Sequence, residues 1–123
     1  MARGGGVKFS VKANGVEAVL RKLGSEGAKR LADDLDIVVE KQALMTVNDA
    51  KNNAPQKDGN LKRSIKLYGK PVKLSRTIGS NMPYAQRQEY EHKSRKGYFR
   101  KALWKRREPF RKAIESEIKK LDN

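Results

Sequence analysis

The 123-residue chain has no cysteine. That excludes disulfides, thiolate nucleophiles and cysteine-ligated zinc together, and it is compatible with a reducing cytoplasm. Histidine is nearly as scarce, with only His92, so the usual nucleophile–base pairs are almost excluded. Only Glu89 and Glu91 flank His92, too few ligands for a metal centre, and the residue reads as a solvent-exposed loop histidine. Ser64, Ser75 and Ser80 lack the sequence context of a nucleophile elbow. Gly4-Gly5-Gly6 is not followed by the Gly-Lys-Ser/Thr of a phosphate loop. Asp33, Asp34 and Asp36 lack the glycine and distal glutamate of a calcium loop, and read as a solvated face in the first half of a helix. No stretch approaches the roughly 20 apolar residues of a membrane helix, and no apolar run follows Arg3 to make a signal peptide. The expectation is a protein without catalysis, cofactor, metal or membrane span.

Negative charge is also short. Asp and Glu number 14 against 29 Lys and Arg, a net charge of +15. The excess is polarised: residues 1–60 carry 10 basic and 8 acidic side chains, residues 61–123 carry 19 and 6. Such asymmetry makes a one-sided field that attracts a polyanion or an acidic protein surface. Hydrophobic residues are only 37 % of the chain, so the core of what reads as one domain is thin.

Periodicity supplies the elements. Met1 to Gly6 reads as a flexible tip. Val7, Phe9 and Val11 alternate with Lys8, Ser10 and Lys12, the period of a half-buried strand. Asn14 is placed to cap a short helix whose apolar face is Val16, Val19, Leu20 and Leu23. A long helix is predicted from between Ser25 and Ala28 to about Asn52. Its stripe is Leu31, Leu35, Val38, Val39 and Met45, widened by Ile37, Leu44 and Val47. Ala54-Pro55 ends it, and Pro55 to Asn60 reads as a loop. One helical turn at Leu61 leads through Ile65, Leu67 and Tyr68 into a strand, Gly69-Lys70-Pro71 into a turn, and Val72–Leu74 and Arg76–Ser80 into a meander. Tyr84 to Glu91 reads as a short helix or irregular segment, and residues 93–97 as an exposed basic loop. Glu108-Pro109 opens a last helix with an apolar face of Phe110, Ala113, Ile114, Ile118 and Leu121. The order predicts an α+β fold, a mainly antiparallel sheet with the long central helix and a C-terminal helix packed on one face.

The basic stretch from Lys93 to Lys112 is the strongest functional signal. Ten Lys and Arg, among them Arg95, Lys96, Arg100, Lys101, Lys105, Arg106 and Arg107, stand against the one acid Glu108, with Tyr98, Phe99, Trp104 and Phe110 interleaved. Arginine with aromatics suits phosphate binding and base stacking, so a small nucleic-acid-binding module is one reading. No groove-reading motif is present, and docking onto an acidic protein surface, or nonspecific proximity to packaged nucleic acid, is favoured over it.

Three segments in order resemble a known family. They are Val7–Val11 with Asn14–Leu23; Ala54-Pro55 leading through Gly59-Asn60-Leu61-Lys62-Arg63 to Ser64-Ile65; and Pro83-Tyr84-Ala85 with Glu89, followed by Tyr98-Phe99-Arg100-Lys101-Ala102-Leu103. Together they resemble the neck or tail-completion proteins of tailed bacteriophages, named for the gene-ten product of a lambdoid siphophage. The resemblance implies an α+β fold and a structural, non-catalytic role in head–tail joining and tail assembly. With it go the expectations of a homo-oligomeric ring, other neck or tail proteins as partners, and a place in the virion after assembly in host cytoplasm; the basic stretch adds nonspecific contact with DNA. Glu89 is followed here by Tyr90-Glu91, where family members often continue to an aromatic and a glycine; Gly97-Tyr98 stands where they usually begin with proline, and Pro109-Phe110 offers a rival alignment.

Overall fold

The computed structural model describes residues 5–55 and 59–122. β1 (Val7–Lys12) is followed by α1 (Glu17–Arg21), α2 (Ser25–Asn53), α3 (Asn60–Ser64), β2 (Lys66–Val72), β3 (Ser75–Ser80), α4 (Ala85–Glu91) and α5 (Tyr98–Lys119). A 3-10 turn over Lys120–Asp122 ends it. The strands form one antiparallel sheet in the order β1-β3-β2. Register sets Val7 opposite Ser80, Phe9 opposite Ile78, Val11 opposite Arg76 and Leu67 opposite Ile78. Alternation then puts all of these on one face, while Lys8, Ser10, Lys12 and Thr77 take the other. The fold is α+β, with α2 packed against all three strands and α5 packed along α2.

Two adjoining clusters make the core. The larger joins Val7, Val11, Val47, Leu61, Ile65, Ile78, Tyr98 and Phe99, with the Phe9 and Phe99 ring centroids 5.5 Å apart. The smaller joins Val16, Leu31, Leu35 and Val39 with Ile114 and Ile118 of α5 packed on it. Phe110 touches both. The buried stripe of α2 is narrower than its apolar residues suggest: Ala43, Ala50 and Thr46 are buried, while Ile37 and Leu44 are 68 % and 48 % exposed.

Several local expectations change. The final helix starts at Tyr98, not at Glu108-Pro109, so Pro109 stands inside α5. Gly69-Lys70-Pro71 is no turn but an irregular part of β2: four steps of β2, Tyr68 to Val72, oppose two of β3, Thr77 to Ser75. Gly69 has φ +74, the left-handed region that glycine takes in one class of bulge, and Pro71 is tolerated because β2 is an edge strand. The chain reverses instead at Lys73-Leu74, where Leu74 has φ 67. Asn14 does not cap α1, whose cap position is Val16 with no side-chain bond. Of the tip read over residues 1–6, residues 1–4 lie outside the described residues. Gly5 is held in place: its N–H donates to Pro83 (2.6 Å) and its C=O accepts from Gln86 (3.1 Å).

Candidate assembly surface

The apolar residues of the central motif lie in the interior, while Asn60 and Arg63 are exposed. Ala54, Pro55, Leu61 and Ile65 are buried and Gly59 is partly so. Residues 56–58 of the loop lie outside the described residues. Gly59 caps α3 with φ +75, the left-handed region that favours glycine. Ser64 sits in a run of linked hydroxyls. Its Oγ donates to Leu61 C=O (2.6 Å) and lies 2.6 Å from Ser80 Oγ, which accepts from the Met82 N–H (3.2 Å). The Tyr68 hydroxyl donates to Ser64 C=O (2.8 Å) and accepts from the Asn81 N–H (3.1 Å). The motif is thereby stitched to the end of β3 and to Asn81 and Met82, which lead into exposed Pro83 and half-buried Tyr84.

Glu89 organises the start of the basic helix. Its carboxylate is fully buried. Oε1 accepts from the backbone N–H of Phe99 (2.8 Å), and Oε2 from Arg100 Nε (2.6 Å). The backbone carbonyl of Glu89 accepts from Gly97 N–H (2.5 Å) and Arg100 Nη2 (3.0 Å). A carboxylate at the first turn also meets the positive end of the helix dipole. Gly97, with φ +77, turns the backbone into α5. Beside it the buried Tyr98 hydroxyl donates to Ala85 C=O (2.8 Å). Burial, with Glu89 and Tyr84 adding, pushes its phenol far above the ordinary tyrosine range.

The basic side chains divide into two sets. Arg95, in the exposed 93–96 segment, donates to the C=O groups of Asn52 (3.3 Å) and Asn53 (3.4 Å), closing the C-terminus of α2. Arg100 pairs with Glu89 and stacks on Tyr90, 4.4 Å from its ring centre. Arg106 grips Asp49 of α2 through Nε (2.6 Å) and Nη2 (3.3 Å). Lys105 approaches the same carboxylate at 4.0 Å. Asp49 thus clamps α5 to α2, and these cations act as internal glue. Lys96, Lys101 and Arg107 are exposed and have no acidic partner among the described residues. Arg107 lies over Trp104, 5.3 Å from the ring centre, and Trp104 is 72 % exposed. His92 is a turn acceptor: its Nδ1 takes the N–H groups of Ser94 (3.2 Å) and Arg95 (2.9 Å).

A second charged centre escaped the sequence. Arg76 sits on the covered face of β3 and is buried. Its Nη1 and Nη2 donate to Asp36 Oδ1 (3.0 Å) and Oδ2 (2.8 Å), and Nε to Glu40 (3.2 Å). Asp36 Oδ1 also accepts the Leu74 N–H (2.7 Å), and Lys73 pairs with Asp33. Of the aspartates read as a solvated face, only Asp34 is exposed; Asp33 and Asp36 fasten the β2–β3 turn to α2. The signal available was the spacing of Asp36 and Glu40, one helical turn apart.

Among the described residues no cluster of three or more His, Asp or Glu is placed to hold a metal, and no helix is long and apolar enough to cross a membrane. Residues 17–90 match the model of the family described as "Bacteriophage HK97-gp10, putative tail-component". The chain belongs to that family. It is a bacteriophage tail component, which places it in the virion among other phage structural proteins. No curated protein and no solved structure matches it. For this tail component the matched span covers the central motif, Pro83-Tyr84-Ala85 and Glu89; β1 and α5 lie outside it.

Proposed function

We propose that the protein is a neck or tail-completion component that acts in head–tail joining by docking between other virion proteins, as a homo-oligomeric ring. The family assignment carries this reading. The geometry supports assembly over phosphate tracking, because Arg95, Arg100 and Arg106 are bound to acceptors within the same molecule. What faces outward is a mixed surface: Lys96, Lys101 and Arg107 with Trp104 on one side, Ile37 and Leu44 seven residues apart on α2 on another. Such mixed patches suit protein contacts. A head-to-tail contact repeated around an axis would close the ring. Deleting the gene is expected to leave filled heads and separate tails, with the protein visible at the joint of wild-type particles by cryo-microscopy. Joined, infectious particles lacking the protein would overturn the reading.

The charge excess favours a second reading, contact with nucleic acid. It requires affinity for DNA that falls steeply with salt through counterion release. Unchanged affinity after neutralising Lys96, Lys101 and Arg107 would reject that surface.

A further inference from the structure

We propose that the groove between β1 and α5 takes an extended, acidic segment of a partner protein, which adds a strand to the open edge of β1. The groove encloses about 490 Å³. Its lining includes the consecutive residues Phe9, Ser10, Val11 and Lys12, so it runs along the strand rather than across it. β1 is bonded to β3 on one side only, and its other edge is unpaired among the described residues. A free edge is a row of N–H and C=O groups that an extended peptide satisfies by backbone bonds, while alternate side chains fill pockets. Phe9, Leu103, Trp104 and Phe110 supply apolar walls.

A second observation points to an occupant. Gln42 of α2 lines the groove at 6 % exposure, and its Oε1 has no hydrogen-bond partner among the described residues. A buried acceptor without a donor is costly, and an incoming N–H group removes that cost.

Charge selects the chemistry. Four basic side chains line the groove. Arg100 and Arg106 are committed to Glu89 and Asp49, and Lys12 and Arg107 have no acidic partner among the described residues. Two cations without an acidic partner among the described residues, Lys12 and Arg107, flank an apolar floor and match carboxylates spaced along a strand. They do not make the continuous cationic track that a phosphate backbone uses. A second copy of a protein with net charge +15 would bring repulsion to the same place.

Trp104 is the sole tryptophan, so its emission reports on the groove directly. The probe is a peptide of alternating Glu and Val long enough to span β1. Titration is expected to shift Trp104 emission to shorter wavelength and to saturate. The Lys–Val counterpart and polyglutamate of equal length should give no saturable shift. Of two probes N-methylated at alternate residues in opposite phase, one should bind and the other fail, because only one set of amides faces β1. The double variant K12E/R107E, both exposed sites, should weaken binding at least tenfold with its circular dichroism unchanged. No shift at millimolar peptide, equal response to Lys–Val, equal binding of both methylated probes, or full affinity in K12E/R107E overturns the proposal. So does an equal, saturable shift with a single-stranded oligonucleotide, or self-association that buries Trp104 without peptide. The proposal takes from the assembly reading only that a partner exists. The titration needs no virion, so its failure leaves the head–tail reading standing, and loss of that reading leaves the titration intact.

Discussion

Arg76 occupies a place where a charge is tolerated only with its partners. It lies opposite Val11, on the face of the sheet that α2 covers. Asp36, Glu40 and the C=O groups of Val72 and Ser75 absorb its donors. The Arg76 hydrogen bond holds the Asp36 carboxyl below its ordinary value of 3.8; burial opposes this and the Leu74 N–H assists. Asp36→Asn keeps the shape and removes the charge, leaving a buried guanidinium with only the half-exposed Glu40 as counter-ion. Asp36 is itself partly exposed, so the expected loss is about 2–3 kcal/mol. That corresponds to a melting temperature lower by on the order of 10 °C. The same pair gives a pH signature. A lowered native value means the contribution is complete above 3.8 and is lost as pH falls through the native value beneath it. D36N should therefore be less stable than the wild type at neutral pH, with the gap closing in strong acid. A gap that persists unchanged there would show that the ion pair is not its source.

At the scale of elements, regular patterns could be read and exceptions could not. The alternation of β1, the Leu31, Leu35, Val39 and Val47 part of the α2 stripe and the Phe110–Ile118 part of the last apolar face appear where periodicity puts them, because each is a local consequence of one buried face, while Ile37, Leu44 and Leu121 are exposed. Two breaks misled. Gly69-Lys70-Pro71 has stronger turn chemistry than Lys73-Leu74, yet Asp36, 38 residues away on α2, together with neighbouring Arg76, fixes the reversal at Leu74. Glu108-Pro109 resembles a helix start, yet packing of Phe99 and Ala102 and the Asp49–Arg106 clamp extend α5 upstream through it. The candidate surface shows the same division. Ten cations could be counted from the letters, but which of them are bound to Asp49, Glu89 and the end of α2 depends on contacts distant in sequence. Pro109 stands inside α5 and lacks an N–H for the Lys105 C=O. Pro109→Ala should restore that bond and raise stability by about 1–3 kcal/mol in thermal melts. A destabilised P109A would mean that the proline sets a bend on which the core depends.

Over the whole molecule, a thin core works against a large excess of like charge. The two core clusters share Phe110, so heat is expected to dissolve them in one transition. The internal pairs at Asp36, Asp49 and Glu89 are at least partly buried, and salt screens such pairs weakly. The unpartnered cations, Lys96, Lys101 and Arg107 among them, are exposed, and their repulsion is screened fully. Raising salt from ~0.01 M to ~0.1 M shortens the Debye length from ~30 Å to ~10 Å. The repulsion then fades faster than the attraction, and the melting temperature should rise by a few degrees, on the order of 1 kcal/mol. Lys96→Gln with Lys101→Gln should raise the low-salt melting temperature and flatten the slope, because it removes repulsion that salt otherwise screens. A melting temperature that falls with salt would reverse the assignment and show that exposed ion pairs, such as Arg111 with Glu108 and Glu115, outweigh the net charge.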